Sequence, residues 1–464
     1  MGTLSGLMSL SSSALNADQA ALDIVSNNIA NQNTAGYTRE TVNFTTGDAV
    51  TLSSGAQSTS VSATAVSQRS RVLEQQLQQQ TQASTASTAR LSSLQDIESM
   101  FGLSSSSTDA SSTTIGKSLN SFFSSLTALS SDPTDTATKT AVLTAAQNLA
   151  SAFNSAAQGF TNETSSLNSQ ITTEAQQVNS LTATVARLNQ QIAEQDPNTD
   201  AGTLEDQRQQ AILQLSSIMG VSQITTENNG ITLTASDGSV LVSGAQSYSL
   251  STTSVNGDTA LVGGNPPKTM ADIQGGSIGG MMQTRDSDIP AMQQQLDQLA
   301  YALGSAVNTQ NAAGTTSSGV AGTAIFTLPS SSANAAATIS VSTSATVAAA
   351  ATGEGSTGTG NALALANLST TAVDGGQSAS DAFSSFIGDL GSTVASASNE
   401  DTANSAALTQ AQTQRDSLSG VSLNDEASAL TQYQRSYEAA AKLFDIVNEL
   451  MASALNLGEE TTVS

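Results

Sequence analysis

Three short motifs contain residue types whose spacing could support chemistry. Residues 275–279 (GGSIG) match the GxSxG turn, which presents a nucleophilic serine in hydrolases. Residues 353–358 (GEGSTG) match the GxGxxG loop, whose backbone can hold the phosphates of a dinucleotide. Residues 196–200 (DPNTD) place oxygen ligands at alternating positions, as a calcium-binding loop does.

Each motif lacks a part that its chemistry requires. A serine nucleophile in this turn needs a histidine base, and the chain contains no His and no Cys. The glycine motif has no clear strand before it. The acidic motif has Ala201 and Gln207 where a calcium loop has Gly and Glu. We therefore interpret all three motifs as turns or loops, and we predict no catalytic, cofactor-binding or metal-binding residue.

Paired carboxylates are the catalytic arrangement that the composition leaves open. Two Asp or Glu side chains from distant parts of the chain could meet and hydrolyse a glycoside. The absence of Trp and the presence of only 5 Tyr leave few aromatic rings for a sugar-binding groove. A secreted glycan hydrolase therefore stays a distant alternative.

The charge balance argues against anionic partners. The 464 residues include 13 basic and 38 acidic side chains, which gives a net charge of −25. Such a chain repels nucleic acid backbones and anionic lipid headgroups, so we predict neither nucleic acid nor a membrane as a partner. No run reaches the roughly 18 apolar residues of a membrane span. The first residues also lack the basic and apolar parts of a signal peptide.

Two neighbouring apolar rows define the first predicted helix, from about Thr3 to Ile29. Apolar residues recur at alternating steps of three and four, as in a coiled coil that has more than one partner. The large side chains of these rows are Leu4, Leu7, Met8, Leu10, Leu15, Leu22, Ile24, Val25 and Ile29. The asparagine-rich residues that follow, together with Gly36, predict the end of the helix and a turn.

The last predicted helix, from Asp425 to Leu457, also has two apolar rows. The first row is Leu430, Tyr433, Tyr437, Ala440, Phe444, Val447, Met451 and Ala454, and the second is Leu443, Ile446, Leu450 and Leu457. Asn424 is the expected N-cap and Gly458 the expected stop. Burial of each large apolar side chain contributes roughly 1.5–3 kcal/mol. We therefore expect one row to pack on the first helix and the other to meet further partners.

The middle of the chain predicts a helical body with a small β part. Residues 72–101, 115–193, 289–310 and 379–417 have helical patterns, interrupted by turns. Alternating β-branched residues within about 221–280, around the Asn229-Gly230 and Asp237-Gly238 pairs, predict strands joined by tight turns. Residues 311–360 have only weak strand signals and predict a small β insertion or a partly flexible segment.

These patterns predict a mainly α chain with a β component (α+β) and a nested organisation. Residues 1–45 and 420–464 are expected to form a terminal domain of paired coiled-coil helices. Residues 46–310 and 361–419 are expected to form a helical-bundle body with the small β part, and residues 311–360 an inserted outer domain.

One segment carries a specific family resemblance. Residues 20–40 (AALDIVSNNIANQNTAGYTRE) resemble the N-terminal signature of the bacterial flagellar axial proteins, which build the rod, the hook and the hook-associated zone. Several later segments are similar to the hook-associated protein 1 branch, including residues 187–193 (RLNQQIA), 275–282 (GGSIGGMM) and 433–442 (YQRSYEAAAK). The similarity extends over nearly the whole chain and is weakest over 311–355.

The resemblance implies a structural function without enzymatic activity. Family members are exported through the hollow flagellum without a cleavable signal peptide, and about eleven copies form a ring-like zone between hook and filament. The implied partners are further copies of the chain, the hook protein, hook-associated protein 3, the flagellar export apparatus and an export chaperone on the C-terminal helix. The implied location is extracellular, at the hook–filament junction. The terminal helices are expected to fold on assembly.

The expected site is therefore an assembly interface on the two terminal helices. On the N-terminal helix and signature its residues are Leu7, Leu10, Leu15, Leu22, Ile24, Val25, Asn27, Asn28, Ile29, Asn31, Gly36 and Tyr37. On the C-terminal helix, where the chaperone is also expected to bind, they are Leu430, Tyr433, Tyr437, Phe444, Val447, Leu450, Met451 and Leu457.

Two non-enzymatic alternatives remain open at this point. The chain could be another axial protein, such as the hook protein or hook-associated protein 3, although the long helical body disfavours the largely β hook protein. It could also be a secreted adhesin, whose binding would not need the terminal helices.

Overall fold

The structure is a computed structural model of the chain. It describes residues 2–47, 50–51, 57–58, 60–103, 109–195, 201–226, 229–270 and 272–460. The fold is mainly helical with small antiparallel sheets, which confirms the predicted α+β class. The acidic motif at 196–200 lies outside the described residues. Within the described part of the chain, no helix is long and apolar enough to cross a bilayer.

The two terminal helices pack along each other, as predicted. Helix α1 (Gly2–Asn31) and helix α11 (Leu423–Glu460) run in opposite directions, since the end of α1 meets the start of α11. The predicted cap and stop of α11 are wrong. The Glu426 N–H donates to the Ser422 carbonyl at 2.9 Å, which starts the helix before Asn424, and the helix continues past Gly458. Helix propensity is a weak preference, and one glycine does not end a long helix.

A hairpin that the sequence did not predict follows α1. Strands β1 (Glu40–Thr46) and β4 (Val61–Ser67) pair antiparallel, with Glu40 opposite Ser67. The short strands β2 (Val50–Thr51) and β3 (Gln57–Ser58) pair with each other. The half-buried face of β4 lies on α1. Because that strand alternates Ser and Thr with Ala and Val, its contrast in hydrophobicity is too small to stand out in the sequence.

Long helices form the body, as predicted. They are α2 (Arg71–Met100), α3 (Thr114–Ser131), α4 (Thr136–Ala193), α5 (Gly202–Ile218) and α10 (Ala379–Ser419). Helix α4 starts where the Asp135 carboxylate accepts hydrogen bonds from the Ala137 and Thr138 N–H groups, as an N-cap does. Helices α2 and α10 pack along each other and continue the body toward the terminal pair.

The β part lies within the predicted range. Strands β5 (Val221–Thr225), β6 (Ile231–Ala235), β7 (Val240–Ser243) and β8 (Gln246–Ser247) form a four-stranded antiparallel sheet. Strands β9 (Ser251–Val255), β10 (Asp258–Gly263) and β11 (Lys268–Thr269) form a second sheet. Gly238 has a φ of 81°, which agrees with the tight turn predicted at Asp237-Gly238, and Asn229 also has a positive φ, of 56°.

The chain then returns to helix and forms the segment that was expected to be outermost. After α6 (Gly276–Gln283), a π-helical turn and α7 (Ile289–Ala313), short strands pair as β12 (Gly314–Thr315) with β15 (Ala350–Ala351) and β13 (Phe326–Thr327) with β14 (Ser340–Val341). Helices α8 (Ala335–Thr338) and α9 (Gly360–Asn367) complete the segment. Ile325, Phe326 and Ile339 are buried in the same cluster as the body helices.

One connected apolar cluster fills the body, and the terminal pair lies outside it. The largest fully buried side chains of the body are Phe122, Phe153, Phe160, Phe326 and Phe383. The buried residues of the terminal pair, such as Val25 and Val447, do not belong to that cluster. The terminal pair therefore needs other contacts to hold its position on the body.

Candidate assembly surface

The contact between α1 and α11 uses part of the predicted interface. Ile24, Val25 and Val447 are buried at 8%, 3% and 2% exposure, together with the small residues Ala17 and Ala21. The remaining predicted apolar residues that are half-buried in this pair are Leu10, Leu15, Leu22, Ile29, Leu430, Tyr433, Phe444 and Met451. The side chain of Leu457 lies outside the described residues.

Other predicted apolar residues are exposed. Leu7 is 43% exposed and Tyr437 is 37% exposed. Leu443, Ile446 and Leu450 are 44%, 54% and 52% exposed, and we call these three residues the outer row. Three large apolar side chains at helical spacing on one exposed face are more than the scattered exposure of an ordinary surface. The outer row is therefore an exposed apolar strip on α11.

One asparagine of the signature, Asn28, forms a buried contact between three segments of the chain. Asn28 is 1% exposed, and its amide makes four hydrogen bonds. Nδ2 donates to the Glu40 carbonyl at 2.7 Å and to Glu426 Oε2 at 3.1 Å. Oδ1 accepts from the Tyr37 hydroxyl at 2.9 Å and from the Glu40 N–H at 3.0 Å. This amide thus uses its full hydrogen-bonding capacity and joins α1, the hairpin and α11.

The other signature residues have simpler positions. Helix α1 ends at Asn31, whose Nδ2 donates to the Asn27 carbonyl at 3.0 Å, while the Asn27 side chain is exposed. Gly36 has a φ of 81°, so the turn uses the left-handed conformation that glycine tolerates best. The prediction of a helix end and a turn is confirmed. Asn28 lies in the last turn of this helix, and its amide points into a buried contact with the hairpin and α11.

A buried ion pair completes this junction. Glu426 is 1% exposed, and its Oε1 accepts from Arg39 Nε at 2.7 Å. We call Asn28, Tyr37, Arg39 and Glu426 the joint. Burial, followed by the nearby carboxylates of Glu40, Asp206 and Glu426, raises the pKa of the Tyr37 hydroxyl, which keeps it protonated as a donor to Asn28.

A second layer connects the joint to the body. The Thr38 N–H and hydroxyl donate to the two carboxylate oxygens of Asp206 on α5, at 2.8 Å and 2.6 Å. Arg415 on α10 donates to the Gly36 carbonyl at 2.8 Å, and its Nε lies 3.6 Å from Glu74 Oε1 on α2. The backbone of residues 36–38 is therefore held by two body helices. These polar contacts attach the terminal pair to the body, which the apolar cluster of the body does not reach.

Sequence reasoning missed most of the residues that build these contacts. Arg39, Asp206, Arg415 and Glu426 lie in four different segments of the chain, so no local pattern groups them. The signal that could have found them is the scarcity of charged residues. Only 11% of the residues are charged, so each Arg near a helix end was a candidate for a buried ion pair.

The catalytic motifs occupy structural positions. Gly275 has a φ of 76° before α6, and the Ser277 hydroxyl donates to Glu174 at 2.6 Å. The Glu354 carboxylate accepts from the N–H groups of Ala351 and Gly360, which ties β15 to the start of α9. Among the described residues, no group of three or more His, Cys, Asp or Glu is placed to hold a metal ion.

Comparison with known proteins decides the family. A family model described as the flagellar hook-associated protein FlgK helical domain matches residues 94–326, half of the chain. The chain belongs to the flagellar hook-associated protein FlgK family. The resemblance stated from the signature is thereby confirmed. Two further models match the ends: the flagella basal body rod protein over residues 8–38 and the C-terminal region of the basal body rod FlgEFG proteins over residues 412–457.

Curated relatives carry the same family name. The flagellar hook-associated protein 1 of Bacillus subtilis is 28% identical, over 96% of each chain. That of Salmonella typhimurium is also 28% identical, over 70% of this chain but only 60% of its own length. The chain thus matches about three fifths of the Salmonella protein.

A solved structure shows the same fold. The flagellar hook junction protein FlgK from Burkholderia pseudomallei superposes with a TM-score of 0.65, over 74% of this chain and 100% of that one, at 18% identity. At this identity the likeness shows the fold alone.

Proposed function

We propose that this chain is a non-enzymatic structural component of the flagellum that joins the hook to the filament and permits the filament to assemble. The outer row carries this proposal, because it exposes apolar surface on a helix that already has one partner. Exposed apolar surface of this kind is typical of protein-binding faces. Membership of the FlgK family supports a flagellar setting.

The proposed partners follow from this setting. Each copy packs on further copies in a ring-like zone of about eleven, between the hook protein and hook-associated protein 3. The flagellar export apparatus delivers the chain to this extracellular position. Before assembly, a chaperone covers the apolar face of α11, whose outer row is exposed in the single chain.

The proposed domain organisation separates the ends of the chain from the body. Residues 1–45 and 420–464 form the terminal domain, residues 46–310 and 361–419 form the body, and residues 311–360 form the outer segment. The terminal pair is proposed to complete its folding on assembly, which is supported by its position outside the body's apolar cluster.

Deletion of the gene tests the proposed position. We expect hooks without filaments and flagellin released into the medium, both reversed by the wild-type chain. A strain that still makes filaments overturns the proposal, and a strain without hooks indicates the hook protein instead. Hooks isolated from cells without hook-associated protein 3 should still carry this chain, because it is proposed to assemble first.

Proteolysis of the purified monomer tests coupled folding. Rapid trimming of roughly the first 40 and last 40 residues to a resistant middle fragment is expected. Terminal helices that resist the protease as well as the body does would contradict folding on assembly, while leaving the proposed position untouched.

A further inference from the structure

A buried carboxyl group beside the attachment of the terminal pair is incompletely paired. Glu74, in the first turn of α2, is 3% exposed. Its Oε2 atom is buried and has no hydrogen-bond partner among the residues that the structure describes. A buried carboxylate normally has partners for its oxygens, because burial of an unpaired charge is costly. The position of Glu74 therefore favours its neutral, protonated form.

Arg415 of α10 is the cation that lies beside this carboxyl group. Its Nε atom is 3.6 Å from Glu74 Oε1, which permits charge attraction but is longer than a hydrogen bond. Arg415 Nη2 donates to the Gly36 carbonyl at 2.8 Å and to the Tyr37 carbonyl at 3.2 Å. Arg415 Nη1 donates to Asp416 at 3.1 Å. The same guanidinium is thus shared between Glu74 in the body and the segment that leads to the terminal pair.

Other charged groups also face Glu74. Arg69, which precedes α2, attracts the carboxylate, and Asp206 of α5 repels it. The guanidinium of Arg69 is itself bound to the carboxylates of Glu205 and Asp206. Burial raises the pKa of the Glu74 carboxyl group, and the attraction of Arg415 and Arg69 offsets this only in part. Protonated Glu74 therefore stabilises the folded chain below about pH 4.3, the ordinary Glu value, and this contribution is lost as the pH rises through the higher pKa of the folded chain.

We propose that Glu74 is a proton-binding site that controls how firmly the body holds the terminal pair. With Glu74 protonated, Arg415 stays on the Gly36 and Tyr37 carbonyls. With Glu74 ionised, the charge draws the Arg415 guanidinium toward α2 and weakens its hydrogen bonds to these carbonyls. The body therefore holds the terminal pair more firmly in a mildly acidic medium than in a neutral one. This inference concerns the single chain and does not depend on the proposed function.

The composition of the chain makes this switch easy to isolate. The chain has no His, the side chain that ordinarily titrates between about pH 5 and pH 8. Ordinary carboxyl groups are largely ionised throughout this range. A side-chain titration in this range therefore comes from a carboxyl group whose pKa is raised. Besides Glu74, burial raises the pKa of Glu163 and Glu174 on α4, and these two residues provide controls.

Hydrogen exchange of the purified full chain tests the proposal. The Thr38 N–H donates to Asp206 and the Arg39 N–H donates to the Ser419 carbonyl, so both amides report on the attachment. Their protection factors, which correct for the effect of pH on chemical exchange, should fall by at least about threefold between about pH 5 and pH 8. Constant protection of both amides over this range overturns the proposal.

Two matched variants identify the titrating group. Glu74→Gln keeps the shape of the side chain and cannot ionise, so protection at Thr38 and Arg39 should no longer depend on pH and should stay at the acidic wild-type level. Glu163→Gln removes a carboxyl group of the same kind near the far end of α2, beside Asp96, and should keep the wild-type pH dependence. If Glu74→Gln keeps that dependence, or if the Glu163 control loses it, Glu74 is not the proton-binding site.

Arg415→Gln tests the route from Glu74 to the terminal pair. Without the guanidinium, protection at Thr38 and Arg39 should be low throughout the range and should no longer fall as the pH rises. Circular dichroism shows whether this variant keeps its helices. A wild-type pH dependence in folded Arg415→Gln overturns the proposed competition for Arg415. Filaments in the deletion strain would instead reject the proposed function and would leave this inference untouched.

Discussion

Asn28 and Glu426 lie 398 positions apart, yet Asn28 Nδ2 donates to Glu426 Oε2 at 3.1 Å in a fully buried contact. Because the same amide also holds both backbone polar groups of Glu40, one side chain joins the beginning of the chain, its end and the hairpin between them. Next to this contact, Asp206 and Arg415 hold residues 36–38, so polar contacts with directional geometry attach the terminal pair to the body, whereas the body itself is held by apolar packing.

Replacement of Asn28 tests this attachment. Asn28→Ala removes the hydrogen bonds that the amide makes with the Tyr37 hydroxyl, the Glu40 backbone and one Glu426 oxygen, and we expect a loss of about 2–3 kcal/mol in the stability of the joint. Hydrogen exchange at the Glu40 amide should speed up accordingly. Asn27→Ala changes the exposed neighbour and is the control. Equal exchange at Glu40 in both variants would show that the joint does not depend on Asn28.

Replacement of Leu450 tests the outer row separately from the fold. Leu450→Asp adds a charge to an exposed position, so we expect the melting temperature of the purified chain to stay unchanged while its incorporation into flagella falls by at least about tenfold. Ala452→Asp, two residues farther on a different face, is the matched control and should incorporate. Normal motility with Leu450→Asp would remove the outer row from the assembly surface. Phe444→Asp should also block incorporation, but it disturbs the half-buried contact with α1 as well.

Glu163 on α4 gives a prediction for the dependence of stability on pH. Burial, followed by repulsion from Asp96, raises the pKa of Glu163. Because its pKa is higher in the folded chain, Glu163 favours folding only while it is protonated. This contribution to stability is complete below the ordinary Glu pKa of about 4.3 and is lost as the pH rises through the pKa of the folded chain. Glu163→Gln should therefore raise the melting temperature at about pH 7, and by less at about pH 4. Asp96→Asn should shift it in the same direction at about pH 7, and a lower melting temperature for Glu163→Gln would contradict the assignment.

Two helical glycines should respond oppositely to alanine. A Cβ at Gly280 of α6 would collide with the Ala86 carbonyl of α2, so Gly280→Ala should destabilise the body by about 1–3 kcal/mol. Gly388 of α10 has open space around it, so Gly388→Ala should stabilise by about 0.5–1 kcal/mol through helix propensity. Urea denaturation of both variants measures the difference. If Gly388→Ala lowers the free energy of unfolding, helix propensity does not determine the effect of this substitution.

Much of the fold was predictable because its signals are local. The apolar rows of α1 and α11 gave the pairing of the ends, and the Asn229-Gly230 and Asp237-Gly238 pairs gave the turns of the four-stranded sheet. The β1–β4 hairpin was missed because its Ser, Thr, Ala and Val residues give little contrast between faces. For the candidate site, the sequence predicted the signature and the outer row, and this stays a prediction, while the buried contacts of Asn28 were not foreseen.

The sequence by itself determined which residues could bury apolar surface, which chemistry was absent and, through residues 20–40, which family the chain resembles. Only the tertiary structure decided that Asn28 pairs with Glu426 and that Thr38 pairs with Asp206. Hydrophobic periodicity repeats within a few residues and can be seen in one segment. A hydrogen bond between distant residues depends on which segments of the chain meet, and no local pattern records that.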